Sequence, residues 1–288
     1  MDLTTRAPRS PYAKLGHIVF IPRTLDKVRA ELAGTLETYH WRVGTSATVL
    51  EWLGIDADDL LAAMPKLTDD AAAWSWIEAR MTPRTDVEIA TFNRSMIERR
   101  PEGADSRRRH RKYLDEIGIT KDLEALGEVM TSMERLEWND RRETEPPEPG
   151  IDLTTGVPRS PYERMLNMVF LPRTIDKARA ELAGTEGEYL FRYGQSAPVL
   201  DLLGITPEQL FEALRENPSD EDIRTWIVEN TTLPGTLEIA RYNREVIERR
   251  AQTPEKIAWH LEHLTGIGRG HLADILTSVE RLEWDENR

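Results

Sequence analysis

Three cations and one carboxylate lie close together in the first half of the chain, at Arg23, Asp26, Lys27 and Arg29. Arg side chains favour planar carboxylate or phosphate partners, so this group of residues is suited to holding a small anion. The i,i+3 spacing of Asp26 and Arg29 is equally suited to an ordinary salt bridge on a helix surface. Residue type and spacing leave both interpretations open.

The same group of side chains returns 150 positions later, as Arg173, Asp176, Lys177 and Arg179. The shift holds from Asp2 and Asp152 to Arg100 and Arg250, and about half of the paired positions are identical. The chain is therefore a tandem duplication of one domain, and any function of the repeat should use residues present in both copies.

A helix must position the first group. Pro22 suits the first turn of a helix and Gly34 suits the left-handed cap at its end. An apolar stripe runs between them at helical spacing, formed by Ile21, Leu25, Val28 and Leu32. The same pattern predicts a second helix between Pro172 and Gly184.

Another helix of the first copy, the one that begins after Thr85, carries an amide on its apolar face. The capping-box spacing at Thr85 predicts a helix running to about Arg100, and Asn93 lies among its apolar positions, as Asn243 does in the second copy. A buried amide needs hydrogen-bond partners, so it either ties down a backbone segment or lies in the floor of a pocket. We expect its partner to be the loop over residues 35–44.

Aromatic residues supply candidate walls for such a pocket. Tyr12, Tyr39 and Trp41 could frame a recess, or they could be core residues. The alternating aromatic residues after Thr35 predict a short extended strand or an ordered loop there, and this is the only β-structure expected. Ser10 followed by Pro11 predicts a short helix to about Val19.

These patterns give one candidate ligand-binding set for each copy. The predicted residues are Arg9, Arg23, Asp26, Lys27, Arg29, Tyr39 and Asn93 in the first copy and Arg159, Arg173, Asp176, Lys177, Arg179, Tyr189 and Asn243 in the second.

The patterns of the remaining segments predict helices, so the predicted fold is all-α, with a short extended segment in each repeat. The repeats span residues 1–140 and 151–288, and a linker rich in Pro and Glu joins them over residues 141–150. Near the end of each repeat the shift becomes 146, which predicts a four-residue gap near Pro101 to Arg107. We expect the repeats to pack with pseudo-two-fold symmetry, so that the monomer resembles a dimer.

Bulk composition excludes several classes of function. The 288 residues carry a net charge of −13, with −5 in residues 1–150 and −8 in the remainder, and this acidity disfavours nucleic acid as a partner. Cys is absent, which excludes disulfides and thiolate sites. No apolar run approaches the roughly 20 residues of a membrane span, and we expect a cytoplasmic protein without membrane contact.

Motifs for metals and cofactors are also lacking, so we expect neither. His260 and His263 have i,i+3 spacing, but the 146-residue shift places Leu114 and Ile117 opposite them, and we expect both to be surface residues. The basic run from Arg107 to Lys112 has no basic counterpart in the second copy. It is interpreted as a solvated face, or as an acidic or nucleic-acid contact peculiar to the first copy.

The repeat resembles the family called domain of unknown function 5069. The resemblance is carried by Pro8-Arg9-Ser10-Pro11, by the segment from Pro22 to Thr35, by Tyr39, and by Glu88-Ile89-Ala90 with Asn93. After Tyr39 the chain has Val43-Gly44-Thr45-Ser46, where family members tend to have a Cys-Pro-Leu-Asp-like stretch. The resemblance implies a compact helical domain and supplies no activity.

The favoured function is a binding or interaction module with one small polar anion site per repeat, whose partner is a small anionic ligand or a protein. The alternative is an enzyme acting on a small anionic metabolite, with Asp26 or a Tyr hydroxyl transferring protons. A third reading is a purely structural assembly protein, in which ion pairs and helix caps use up the same residues.

Overall fold

The computed structural model describes residues 1–140, 151–192 and 194–287. The predicted linker at residues 141–150 and Tyr193 lie outside the described residues. Over the described residues the chain forms fifteen α-helices and two short hairpins, which confirms the all-α prediction.

The first copy begins with a hairpin and continues with eight helices. Its elements are β1 (Lys14–Leu15), β2 (Ile18–Val19), α1 (Ile21–Ala33), α2 (Gly44–Leu53), α3 (Ala57–Ala63), α4 (Asp70–Glu78), α5 (Asp86–Ile97), α6 (Gly103–Glu116), α7 (Leu123–Val129) and α8 (Ser132–Asp140).

The second copy repeats this order with one helix fewer. Its elements are β3 (Arg164–Met165), β4 (Met168–Val169), α9 (Leu171–Ala183), α10 (Ser196–Leu203), α11 (Pro207–Glu216), α12 (Asp220–Asn230), α13 (Thr236–Ile247), α14 (Pro254–Gly266) and α15 (Ser278–Asp285).

Helix α1 lies at the centre of the first copy, and α9 has the same place in the second. Gly34 adopts the predicted left-handed conformation at φ 70°, where its N–H bonds the last turn of α1. Nine of the thirteen residues of α1 are buried, although Leu32 of the predicted stripe is 47% exposed. The buried residues include Arg23, Asp26 and Lys27. The polar flank of the helix is therefore covered as well as the apolar stripe.

A hairpin replaces the helix predicted from Ser10, so that prediction is wrong, and the second copy has a hairpin at the same place. Ser10 caps only a tight turn, since its Oγ accepts a hydrogen bond from Tyr12 N at 3.1 Å. The chain then reverses at Gly16 and His17, with φ of 58° and 62°. Two consecutive positive φ values match the twist of a two-residue hairpin turn. Of the two alternatives for residues 35–44, the extended strand is wrong and the loop is confirmed, because that stretch contains turns and bends.

The length difference between the copies lies later than predicted. His110 and His260 are both buried and are 150 positions apart, and Gly118 and Gly268 both have positive φ after equivalent helices. The four missing residues therefore follow Gly268. There α7 is replaced by a 3₁₀ turn at Gly270–Leu272, and the predicted gap near Pro101 to Arg107 is wrong.

The copies pack through a shared hydrophobic core and reciprocal polar contacts. The rings of Tyr12 and Tyr162 stack with their centroids 4.8 Å apart. Ion pairs join Arg100 to Glu248 and, in exchange, Arg250 to Glu98. A pseudo-two-fold arrangement requires contacts of this kind, and the symmetry itself stays a prediction.

Within the described part of the chain, no helix combines the length and apolar character that crossing a membrane would require.

Candidate functional site

The predicted site residues of the first copy form three polar groups and a separate buried lysine. The first group is an ion-pair network. Asp26 accepts hydrogen bonds from Arg9 N and Arg9 Nη2, both at 2.8 Å. Arg9 also pairs with Asp70, which accepts from Arg29 Nη1 at 3.0 Å. Burial would raise the pKa of Asp70, but the hydrogen bonds from Arg9 and Arg29 lower it overall. The predicted Asp26–Arg29 salt bridge is present at 3.8 Å.

The second copy rebuilds this network with the same partners. Asp176 accepts from Arg159 N at 2.9 Å, and Arg179 Nη1 donates to Asp220 at 2.6 Å. The sequence analysis did not single out Asp70 or Asp220. The available signal was that each opens a helix in its own copy, at a position where acidic residues are common.

The second group joins α1 to the last helix of the copy. Arg23 Nη1 donates to Asp140 Oδ2 at 2.6 Å and to the Arg9 carbonyl at 3.0 Å. Tyr39 OH donates to Asp140 Oδ1 at 3.2 Å. In the second copy the acid is Glu286, whose Oε2 accepts from Arg173 Nη1 at 3.0 Å.

A buried lysine lies one turn further along each central helix. Lys27 Nζ donates to the His40 carbonyl at 3.1 Å, and Lys177 Nζ donates to the Leu190 carbonyl at 3.4 Å. Burial, assisted by the neighbouring Arg23, lowers the pKa of Lys27 to about 7. Burial and Arg173 lower the pKa of Lys177 to about 8. Each copy therefore holds an amine that is partly neutral near physiological pH.

Asn93 and Asn243 form the third group and tie down the hairpins. Asn93 Oδ1 accepts from Val19 N at 3.1 Å, and its Nδ2 donates to the His17 carbonyl at 2.7 Å. Asn243 makes the equivalent bonds and also donates to Glu134 of the first copy at 2.8 Å. The predicted partner, the loop over residues 35–44, is wrong because the hairpin occupies the apolar face of α5.

A recess of about 1100 Å³ opens beside α9 of the second copy. It brings together Arg173, Lys177 and Tyr189 of the predicted set. Its other walls come from α13, α14, α15 and the loop before α10. Eight Lys and Arg side chains line it against four Asp and Glu, although the second half of the chain has 16 basic and 24 acidic residues. Half of the basic residues of an acidic domain therefore surround one cavity.

Several buried nitrogens in the wall of the recess have no hydrogen-bond partner among the described residues. They are Arg173 Nε, Arg250 Nε, His260 Nε2 and Arg281 Nε. The Arg281 guanidinium stacks on the Trp259 ring, 4.6 Å from its centroid. Burial, together with Arg281, lowers the pKa of His260. Buried donors of this kind are costly unless a ligand or water satisfies them.

The predictions for the two histidines of α14 need correction. His260 is 5% exposed, so its expected surface position is wrong, whereas His263 is exposed. Their first-copy counterparts are His110 and Tyr113, because the 150-residue shift persists through this helix. Among the described residues, no cluster of three or more His, Asp or Glu side chains is arranged to hold a metal ion.

The sequence analysis missed the basic residues on the outer wall, Arg249, Lys256 and Arg281. A signal existed for Arg281, which lies in the repeated stretch Glu-Arg-Leu-Glu-Trp, where its counterpart is Arg135. Arg281 is 8% exposed, and both stretches contain buried charged residues. Arg249 also lies in a repeated stretch, Ile-Glu-Arg-Arg, where its counterpart is Arg99, whereas Lys256 has no such signal.

The basic run of α6 lies on the protein surface, apart from His110. Arg108 pairs with Asp105 at 2.9 Å and Lys112 with Glu116 at 3.6 Å, and both cations are 74% exposed. Burial lowers the pKa of His110 to about 4. The pairs are typical of a solvated helix face.

Comparison with known protein families gives two matches along this chain. The family model described as domain of unknown function (DUF5069) matches residues 5–142 and again residues 155–288. The chain belongs to the DUF5069 family. It contains two tandem copies of the DUF5069 domain, in agreement with the resemblance seen in the sequence. Comparison with curated proteins gives no match.

Proposed function

We propose that this DUF5069 protein binds a small anionic ligand in the recess of its second copy. The observation that carries the proposal is the concentration of charge, with eight cationic side chains around one cavity in a half whose net charge is −8. The ligand class is a phosphorylated or multiply carboxylated small molecule, because several guanidinium groups favour planar or tetrahedral oxyanions.

The walls of the recess are suited to such a ligand. Arg281 and Trp259 provide a stacked cation and ring, and Lys177 and Tyr189 line the same recess beside α9. Burial and Glu286 raise the pKa of Tyr189 to about 12, so its hydroxyl stays a neutral donor. A cavity of about 1100 Å³ is large enough for a metabolite-sized ligand.

The proposed site retains only part of the set predicted from sequence. It uses Arg173, Lys177 and Tyr189, and it adds the outer-wall cations. The Arg159–Asp176–Arg179 network and Asn243 are engaged in internal hydrogen bonds, so their proposed part is to hold the second copy in shape.

The internal pairing also supports a second candidate function. In a structural assembly protein, ion pairs would use up the repeated charges, as they do at Arg9, Asp26 and Arg29. Under that reading the recess would have no ligand and the outer-wall cations would be surface charges. Ligand binding therefore distinguishes the two candidates.

A thermal-shift titration with inorganic pyrophosphate and with citrate tests the proposal, because a ligand stabilises the state that it binds. The anions should raise the melting temperature of the wild type, and Arg281→Gln should lose most of that rise. Arg135→Gln changes the equivalent residue of the first copy and is the matched control, which should keep it. An equal rise in all three proteins, or none in the wild type, would overturn the proposal.

A further inference from the structure

One lysine position is shared by both copies, although lysine is rare in the chain. Of 38 basic residues only seven are lysines, and position 27 with its mate 177 is the one equivalent pair that is Lys in both copies. Lys14, for example, has Arg164 as its mate. Arg remains charged at all relevant pH values, whereas a buried Lys can lose its proton and become a nucleophile.

The surroundings of Lys177 favour the neutral amine. Its Nζ lies 5.6 Å from the centroid of the Phe170 ring, and only 9% of the residue is exposed. The Arg173 guanidinium is close by, and the Nζ makes one 3.4 Å hydrogen bond, to the Leu190 carbonyl, among the described residues. Apolar burial and a neighbouring cation are the two means by which proteins activate amine nucleophiles.

The recess places this amine where a ligand could meet it. Lys177 lies in the wall of the cavity, and the outer-wall cations Arg249, Lys256 and Arg281 line the same space. A small molecule held there by a carboxylate or phosphate would have its remaining atoms directed toward α9. A carbonyl group is the common electrophile that an amine attacks without an added cofactor.

We propose that the Lys177 amine forms an imine with small carbonyl compounds that carry a carboxylate or phosphate, such as 2-oxo acids and their aldehyde analogues. The inference rests on the proposed function, because the cations of the recess hold the anionic group. The amine nitrogen adds to the carbonyl carbon to give a carbinolamine. The carbonyl oxygen then leaves as water with the two amine hydrogens, and a carbon–nitrogen double bond remains.

A purely structural lysine would look similar in one respect, since Lys177 also anchors the segment that contains Leu190. Burial and that hydrogen bond are compatible with either role. Reactivity toward carbonyl compounds separates them, because a lysine that serves only as an anchor has no reason to react faster than a surface lysine.

The test treats the wild-type protein at pH 7 with glyoxylate and sodium cyanoborohydride, which reduces an imine to a stable carboxymethyl amine. Peptide mapping then measures the labelled fraction at each lysine. Lys177 should be labelled roughly tenfold or more above the exposed Lys112 and Lys121, since a lower pKa leaves more neutral amine. Labelling of Lys177 at or below their level would overturn the inference.

Lys256 is the internal control, because it lines the same recess but is exposed. Equal labelling of Lys256 and Lys177 would mean that the recess merely concentrates glyoxylate, and it would overturn the inference. Lys177→Arg should abolish the labelling at position 177 while keeping the melting temperature close to that of the wild type. The mapping of the wild type is decisive even if this variant fails to fold.

Competition with inorganic pyrophosphate distinguishes failure of the inference from failure of the proposed function. Selective labelling of Lys177 that pyrophosphate suppresses supports both. Stabilisation by pyrophosphate without labelling of Lys177 would overturn the imine and leave the anion site standing. Selective labelling that pyrophosphate leaves unchanged would overturn the anion site while supporting a reactive amine.

Discussion

The two copies share six of the eight cations that line the recess and differ at the other two. Both place an Arg, a Lys and a Tyr beside the central helix, and both bond the Lys to a backbone carbonyl. The recess, however, is lined by Arg241 and Lys256, where the first copy has Thr91 and Ser106. Duplication has kept most of these cations, and the second copy carries two more positive charges around the recess. We therefore propose the anion site in the second copy, where the recess lies.

The same contrast appears where the copies meet. Glu134 and Glu280 are equivalent buried residues, 146 positions apart. Glu134 accepts hydrogen bonds from Arg164 Nη1 and Nη2 at 2.8 and 2.6 Å. Burial would raise the pKa of Glu134, but Arg164 lowers it overall. Lys14, the mate of Arg164, bonds Glu283 instead, and burial raises the pKa of Glu280. Equivalent carboxyl groups thus have a lowered pKa in the first copy and a raised pKa in the second.

The largest effect is expected from Glu134→Gln. It removes the two hydrogen-bonded carboxylate oxygens from the buried Arg164 guanidinium and leaves only the Glu137 carboxylate, 4.0 Å away, which should lower the free energy of unfolding by about 3–5 kcal/mol. Chemical denaturation measures the change. Glu280→Gln is the matched control and should cost less than about 1 kcal/mol, because a raised carboxyl pKa means that the charged form is disfavoured there. Equal losses in the two variants would contradict the asymmetry.

Replacing the hairpin-anchoring amides should have the next largest effect. Asn93→Ala and Asn243→Ala leave buried backbone groups without partners, at about 1–3 kcal/mol each. Asn243→Ala should lie at the upper end because it also removes a donor to Glu134. Urea denaturation gives both values, and a larger loss for Asn93→Ala would count against the account.

The buried lysines should make the free energy of unfolding rise with pH above neutrality. Each pKa is lower in the folded state than in the unfolded chain, so the unfolded chain binds more protons above pH 7 and stability rises with pH. For Lys27 the gain should approach about 1 kcal/mol per pH unit between pH 7 and 9. Lys177, with its higher pKa, should begin to contribute about one unit later.

Melting temperatures across this pH range, for the wild type and for Lys27→Met and Lys177→Met, measure both contributions. Lys27→Met should remove most of the rise near pH 7, and Lys177→Met should remove the later part. A rise of the same size in both variants and in the wild type would show that other groups cause it.

The smallest effect is expected for the reciprocal ion pairs between the copies. Arg100 and Arg250 are 24% and 32% exposed, so each pair should contribute about 1 kcal/mol or less. Arg100→Gln and Arg250→Gln should lower the melting temperature by similar amounts. High salt should shrink the difference from the wild type, because it screens the ion pairs. Strongly unequal losses would argue against the pseudo-two-fold relation.

Local signals were sufficient to predict the helices. Pro22 and Gly34 bracket α1, and the capping box at Thr85 marks another helix start as predicted. The hairpins were missed because Ser10-Pro11 imitates a helix start. Gly16 was the available clue in the first copy, but Leu166 holds that place with φ 53° in the second. Leu gives no turn signal, so tertiary packing must impose its conformation.

The candidate site was only partly predictable, because many of its residues lie far apart in the sequence. The residues of α1 and α9 could be found because they recur within a short segment. The partners that neutralise them, Asp140 and Glu286, lie more than a hundred positions away. The outer-wall cations between α13 and α15 are brought to α9 only by the fold. Periodicity within one helix cannot reveal contacts between different helices.

The most direct test of the anion site is to locate a bound anion. Crystals grown with selenate should give an anomalous diffraction peak in the recess of the second copy, within hydrogen-bonding distance of Arg249 or Arg281. The account predicts this peak in the wild type and its loss in Arg281→Gln. Selenate bound only at the equivalent place in the first copy, or only elsewhere on the surface, would contradict it.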